Sequence, residues 1–249
     1  MLHFRLFFSL IFFFAALNVQ SQDAREVVKK VDDKAKGKSS MAIMTIQIVR
    51  PSWTREMTLK TWSQGNDLAL ILVTAPVKDK GIVYLKRKKE VWNWIPAIER
   101  NIKLPPSMMS QSWMGTDFTN DDLVKEASIV EDYTHSFLSD APIDGRDCYL
   151  VQMIPKPEAA VVWGKVLLWI DKKEYIMLHG EYYDESGKLI NILHASDIKL
   201  LGGRMLPARM EMVPAEKKGN KTLMLYKDIV FDKPIKDELF STQYMSKVQ

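Results

Sequence analysis

Met41-Ala42-Ile43-Met44-Thr45-Ile46-Gln47-Ile48-Val49 marks the point at which the apolar period of the chain changes from that of a helix to two. Upstream, Ala24, Val27, Val28, Val31 and Ala35 recur at helical spacing between Asp23, a residue suited to cap a helix, and Gly37, which stops one. That segment is one amphipathic helix of about three turns. Downstream, strand-like runs follow near 41–49, 53–63, 68–74, 81–86, 91–95 and 98–104, and again near 147–154, 163–171, 175–183, 188–199, 204–213 and 222–231. The links are short and turn-like, among them Gln64-Gly65-Asn66-Asp67, Asp184-Glu185-Ser186-Gly187, Gly202-Gly203 and Lys217-Lys218-Gly219-Asn220. Short links make successive strands antiparallel neighbours. So many strands must curl into a barrel, a half-barrel or a sandwich, and the first helix can then cover the inside of the curl.

Leu68-Ala69-Leu70-Ile71-Leu72-Val73 is apolar on both faces, and Val166-Leu167-Leu168-Trp169-Ile170 nearly so. Such strands are either covered on both sides or line a cavity with one face, and both readings stay open at this point.

The ends and the composition set further bounds. Arg5, an apolar run from Leu6 to Leu17 and the exit Val19-Gln20-Ser21 have the layout of a secretory signal. The run is shorter than the roughly 20 residues a spanning helix needs, so cleavage after Ser21 is expected, leaving residues 22–249 as one domain. No cysteine follows the signal, so a bacterial lipid anchor is not expected. Removal of Arg5 leaves 34 basic and 31 acidic residues, a charge of +3 spread along the chain, with no footprint for nucleic acid. Lys86-Arg87-Lys88-Lys89 reads as a solvated hairpin turn. Cys148, the single cysteine, lies in an apolar run and reads as a buried small hydrophobe.

Between Leu104 and Asp147 the strand pattern breaks for about 40 residues, longer than a structureless connection normally runs in a compact domain. Met108, Met109, Trp113, Met114 and Phe118 stand here among small polar residues, and Thr119-Asn120-Asp121-Asp122 resembles a capping box that opens a short helix. Unbranched Met side chains adapt to apolar partners of varied shape. The segment is either a lid over an apolar pocket or a plug at the end of the core. For the pocket itself, Met57, Leu59, Leu70, Trp92 and Trp94 of the early strands are the candidate lining.

Chemistry is sparse. His3, His135, His179 and His194 are scattered, no pair has zinc-ligand spacing, and no metal or cofactor site is expected. There is no Gly-x-Ser-x-Gly elbow, glycine-rich phosphate loop or His-Glu-x-x-His. Asp32-Asp33 and Asp121-Asp122 occupy helix positions where solvation or the helix dipole accounts for them. No enzymatic activity is expected.

Gly81-Ile82-Val83-Tyr84-Leu85, Val91-Trp92-Asn93-Trp94-Ile95-Pro96 and Ser112-Trp113-Met114-Gly115-Thr116-Asp117-Phe118-Thr119 together resemble the outer-membrane lipoprotein-sorting family, the LolA-like periplasmic carriers. The resemblance implies a mainly β fold, an incomplete antiparallel barrel with an N-terminal helix and a central helical lid segment. It also implies an apolar cavity for the acyl chains of lipoprotein or lipid, loaded by an inner-membrane transporter and unloaded by an outer-membrane acceptor. The same fold is similar to periplasmic sensor domains that bind a membrane-anchored signalling protein, which is the alternative function. In the family's namesake an arginine before a proline helps hold the lid shut. Here Ala75-Pro76 stands at the comparable distance before the Trp92 strand and Arg50-Pro51 at a different spacing, so that lock is not carried over.

Overall fold

The computed structural model describes residues 23–125 and 129–248. The expected signal peptide, residues 1–21, lies outside the described residues. Helix α1 (Ala24–Lys36) begins where the Asp23 side chain accepts a hydrogen bond from the Arg25 N–H, a cap that contributes about 1 kcal/mol. It ends at Gly37, whose φ of 65° lets the chain turn into the first strand and whose missing side chain leaves room for Asp232. The helix buries Ala24, Val27, Val28 and Val31, as its spacing requires.

Thirteen strands form one antiparallel sheet: β1 (Ser39–Arg50), β2 (Trp53–Gln64), β3 (Leu68–Ala75), β4 (Val83–Arg87), β5 (Glu90–Ile95), β6 (Arg100–Lys103), β7 (Tyr133–Phe137), β8 (Cys148–Pro155), β9 (Lys165–Asp171), β10 (Met177–Tyr183), β11 (Leu189–Leu201), β12 (Arg204–Pro214) and β13 (Lys221–Phe231). Every strand neighbours the next in sequence except at one place, and one pairing joins strands far apart in sequence. The first and last strands pair in the middle of the sheet, with Ser40 opposite Phe231 and Val49 opposite Lys221. Strands β6 and β7, consecutive in the chain, do not pair and are the two edges. The sheet is therefore a ring of hairpins opened at one seam, and the connection between β6 and β7 starts at one lip of the opening and returns to the other. Edge β6 is exposed along its length and carries Arg100 and Lys103, charges that discourage pairing with another chain.

The three largest bodies of apolar packing follow, with a smaller fourth around Cys148, Ile176 and Leu178. On the inner face, α1 packs with Tyr133, Val151, Met153, Val166, Leu168 and Ile170 of β7–β9. Also on the inner face, Met109, Trp113 and Phe118 of the β6–β7 connection pack against Ile46, Ile48, Met57, Leu59, Val73, Leu193, Met212 and Met224. On the outer face, the C-terminal segment sets Phe240 and Met245 over Leu70, Leu72, Val83 and Leu85. The two-faced run Leu68–Val73 is thus explained by cover on both sides: Ile71 and Val73 meet the inner core, and Leu70 and Leu72 meet the C-terminal segment. Cys148 is buried, and burial pushes its thiol pKa up, as a packing residue requires.

Three expectations are corrected. Strand β7 falls inside the stretch read as an insert, so the connection is shorter than expected. The central segment contains only a 3-10 turn at Pro106–Met108 and a single π-helical turn at Asp121–Lys125 among its described residues, not an evident helical lid. The basic run behaves as a turn at Lys88 and Lys89, but Lys86 is buried.

Candidate functional site

The β6–β7 connection folds into a flap through its own small polar residues. Met114 and Gly115 take positive φ angles of 48° and 82° to reverse the chain, and Ser112 bridges back to Thr119. The Thr116 hydroxyl donates to the Trp113 carbonyl at 2.7 Å. Thr119 and Asp122 then exchange hydrogen bonds in the expected capping-box manner: the Thr119 N–H donates to the Asp122 carboxylate at 2.8 Å and the Asp122 N–H to the Thr119 hydroxyl at 3.1 Å.

Arg50 clamps this flap to the sheet, and Arg55 of β2 adds a bond to the Met114 carbonyl at 3.3 Å. Arg50, the last residue of β1, donates through both terminal nitrogens to Asp117, at 2.9 and 3.1 Å, and to the Gly115 carbonyl at 2.9 Å. Asp117 is held further by β13 and β11: the Thr222 hydroxyl donates to its carboxylate at 2.7 Å, and the Asn191 amide donates to its carbonyl at 2.9 Å. The side chains of Arg50 and Asp117 are only 13% and 6% exposed, so this two-pronged pair works in a poorly solvated setting where it is strong and specific. Arg50, set aside on spacing in the sequence, is therefore the arginine before a proline that reaches the flap.

Between α1 and the flap the inner face is not completely filled. Three adjoining compartments of about 180, 250 and 110 Å³ share lining residues, with Met210 common to the first two, Met224 to the last two and Tyr226 to all three. Taken together they reach the size range of small-molecule sites. Val31 and Ala35 of α1 line one side, Leu123 and Ile129 of the connection another, and Leu168 and Met177 the sheet. Two polar pairs of the wall are made within the protein. Lys36 pairs with Asp32 at 2.8 Å, and the Trp163 indole donates to Asp122 at 2.8 Å. Burial, against the hydrogen bonds from Thr119 and Trp163, pushes the Asp122 carboxyl pKa up, and burial likewise raises Tyr133 and Tyr182. Phe118 and Trp163 also border a broader polar groove of about 880 Å³, which includes Arg50, Asp117, Asn191 and Glu216.

The expected site residues divide between these regions. Of the five proposed pocket residues, Leu59 and Leu70 line the 110 Å³ compartment and Met57 lies on the inner face, whereas Trp92 and Trp94, and the outer side of Leu70, pack with the C-terminal segment. The structure does not bring the five together, because inward and outward positions cannot be told apart on strands that are apolar on both faces. Met109, Trp113 and Phe118 of the flap are buried in the inner core, Trp113 against Tyr84 with ring centroids 5.5 Å apart, and Met108 and Met114 pack at its margin. The cavity lining that sequence reasoning missed comes from the later strands. Its signal was the recurrence of Met177, Met210, Met212 and Met224 there.

Solved structures share this architecture. An outer membrane lipoprotein-sorting protein domain from Vibrio parahaemolyticus superposes with a TM-score of 0.80 at 20% identity, covering 90% of this chain and 98% of its own. A DUF1329 family protein from Desulfovibrio piger gives 0.80 at 21%, over 89% and 97%. A LolA superfamily protein from Nitrosomonas europaea gives 0.78 at 23%, over 90% and 100%. The fold is LolA-like. A family model with the description "Uncharacterized protein" matches residues 65–247, and the chain belongs to that family. No curated protein matches the sequence. The matched segment of this LolA-like chain takes in the flap, its partner Thr222 and the cavity residues of the later strands, while α1, Arg50 and the cavity residues of β1 and β2, among them Met44, Ile46 and Leu59, precede it.

Proposed function

We propose that this protein is a non-enzymatic carrier that works outside the cytoplasm, after removal of its signal peptide. It shields an acyl chain of a lipid or lipoprotein in the cavity between α1 and the flap. The observation that carries this reading is the Met-rich, incompletely filled inner face, roofed by a flap that a buried ion pair and a few hydrogen bonds tie down. Each methylene withdrawn from water contributes about 0.8 kcal/mol, so a chain of moderate length binds well even after the cost of ordering it. Met side chains let the compartments merge around a guest without a rigid fit. The polar groove beyond Phe118 and Trp163 offers the hydrophilic end of the cargo a place near water. The lipoprotein-sorting name of the Vibrio structure supports this reading, and so does the likeness to a LolA superfamily protein. Loading from an inner-membrane transporter and release to an outer-membrane acceptor complete the proposal.

The test is mass spectrometry of organic extracts from protein purified without detergent, followed by displacement of a fluorescent fatty acid by phospholipid. Co-purifying acyl lipid and competitive displacement are expected. An empty extract together with no probe binding at micromolar concentration refutes the carrier.

A further inference from the structure

His179 of β10 and His194 of β11 face each other in register across the outer face of the sheet, and their Nδ1 atoms lie 3.1 Å apart. Two nitrogens bound to one ion at about 2.0–2.1 Å and at angles of about 90–110° lie about 2.9–3.4 Å apart, so the pair already has the bite of a chelate. The geometry around His179 favours the same use. The Trp169 ring meets it edge-on with centroids 4.6 Å apart, which restrains the imidazole. Glu181, next on the same face and itself bonded by the Tyr183 hydroxyl, sets a carboxylate oxygen 3.6 Å from His179 Nε2. A carboxylate on that side favours the tautomer with the ring proton on Nε2, in which the Nδ1 lone pair is directed at His194, the arrangement that orients histidine ligands in metal sites. His194 is exposed, so an ion has access.

We propose that His179 and His194 form a two-histidine site for a transition metal ion, separate from the apolar cavity on the opposite face. Among the described residues no group of three or more His, Cys, Asp or Glu could hold a metal, so water completes the coordination. Glu211 stands opposite His194 on β12, but Arg209 and Lys221 bond its carboxylate. Imidazole ligands suit copper, nickel and zinc, and the general order of divalent affinities places Cu²⁺ first. Binding requires the proton shared between the two Nδ1 atoms to move, on one ring, to Nε2. Protons compete with the ion below neutral pH. The charged groups facing the pair in that competition are Glu181, Glu211 with Arg209 and Lys221, and Asp144.

The experiment is titration of tag-free mature protein with Cu²⁺, read by calorimetry and by electron paramagnetic resonance, then repeated with Zn²⁺. One Cu²⁺ per chain with two-nitrogen hyperfine structure is expected. His194→Ala, at an exposed position that preserves the fold, should weaken binding at least tenfold and remove one nitrogen from the spectrum, while His135→Ala changes neither. Absence of stoichiometric Cu²⁺ binding in the micromolar range, or binding unaltered by His194→Ala, overturns the site. Neither outcome bears on acyl-chain binding.

Discussion

Trp163 donates its indole N–H to Asp122 across 2.8 Å, and this bond joins the entry to β9 to the far end of the flap. Thr119 also holds Asp122 through the capping box. Trp163→Phe leaves one carboxylate oxygen buried without its donor. It should cost about 1–3 kcal/mol of stability in denaturant unfolding and push the Asp122 pKa further up. An unchanged midpoint would show that water replaces the indole.

Arg50 should control flap opening. Arg50→Ala abandons a buried carboxylate, a change that typically costs about 3–5 kcal/mol, and the surviving Thr222 bond to Asp117 places the expected loss toward the lower end. Amide exchange at Asp117, whose N–H donates to the Thr222 hydroxyl at 2.9 Å, should accelerate, and a bound acyl probe should leave faster. Arg50→Lys keeps the charge without the two-pronged geometry and should fall between. Equal exchange in all three proteins would remove the clamp from the account.

Trp113 and Met114 are neighbours with different expected costs. Trp113 is fully buried and Met114 only partly so. Trp113→Ala should cost about 3–5 kcal/mol and threaten folding, whereas Met114→Ser should leave the denaturant midpoint close to wild type and act on ligand off-rate. If Met114→Ser lowers stability as severely as Trp113→Ala, the segment is core throughout and has no lid-like part.

Filling the cavity should abolish its use without unfolding the protein. Met210 borders two compartments and is only partly buried, so Met210→Trp has space to occupy. Acyl-probe affinity should fall at least tenfold with far-ultraviolet dichroism unchanged. A folded variant with normal affinity would move the binding site elsewhere.

Acid stability should depend on Asp171. Burial opposes its ionisation, but the Glu174 N–H and the Arg146 guanidinium outweigh that and hold its pKa below the usual carboxylate range. A lowered pKa in the folded state means stability that is present above the unfolded value of 3.8 and is lost as pH falls through the folded one. Asp171→Asn should therefore be less stable at neutral pH and show a flatter decline in acid, measured by unfolding at a series of pH values.

The alternation of side chains and the turn residues made most of the fold legible, from the Asp23 cap and Gly37 stop to twelve of the strands. Strand β7 escaped because Tyr133-Thr134-His135-Ser136-Phe137 has few apolar residues and owes its place to pairing with β8 and to α1. The flap was legible through its Met and Trp content. The Arg50–Asp117 pair was not, since the two are 67 residues apart and spacing along the chain says nothing about a contact made by sheet closure. The same holds for His179 and His194, which look scattered until hairpin register sets them side by side.

Pairing of β1 with β13 puts the seam of assembly at the end of synthesis. Ser40 finds Phe231 only after almost the whole chain exists, and contacts so distant in sequence carry a loop-closure cost before they repay it. The hairpins on either side can form early, yet the central ladder that unites them cannot. A chain emerging N-terminus first therefore keeps an unsatisfied edge on β1 until β13 arrives, and the last strand acts as the latch that makes one molecule of the two half-sheets.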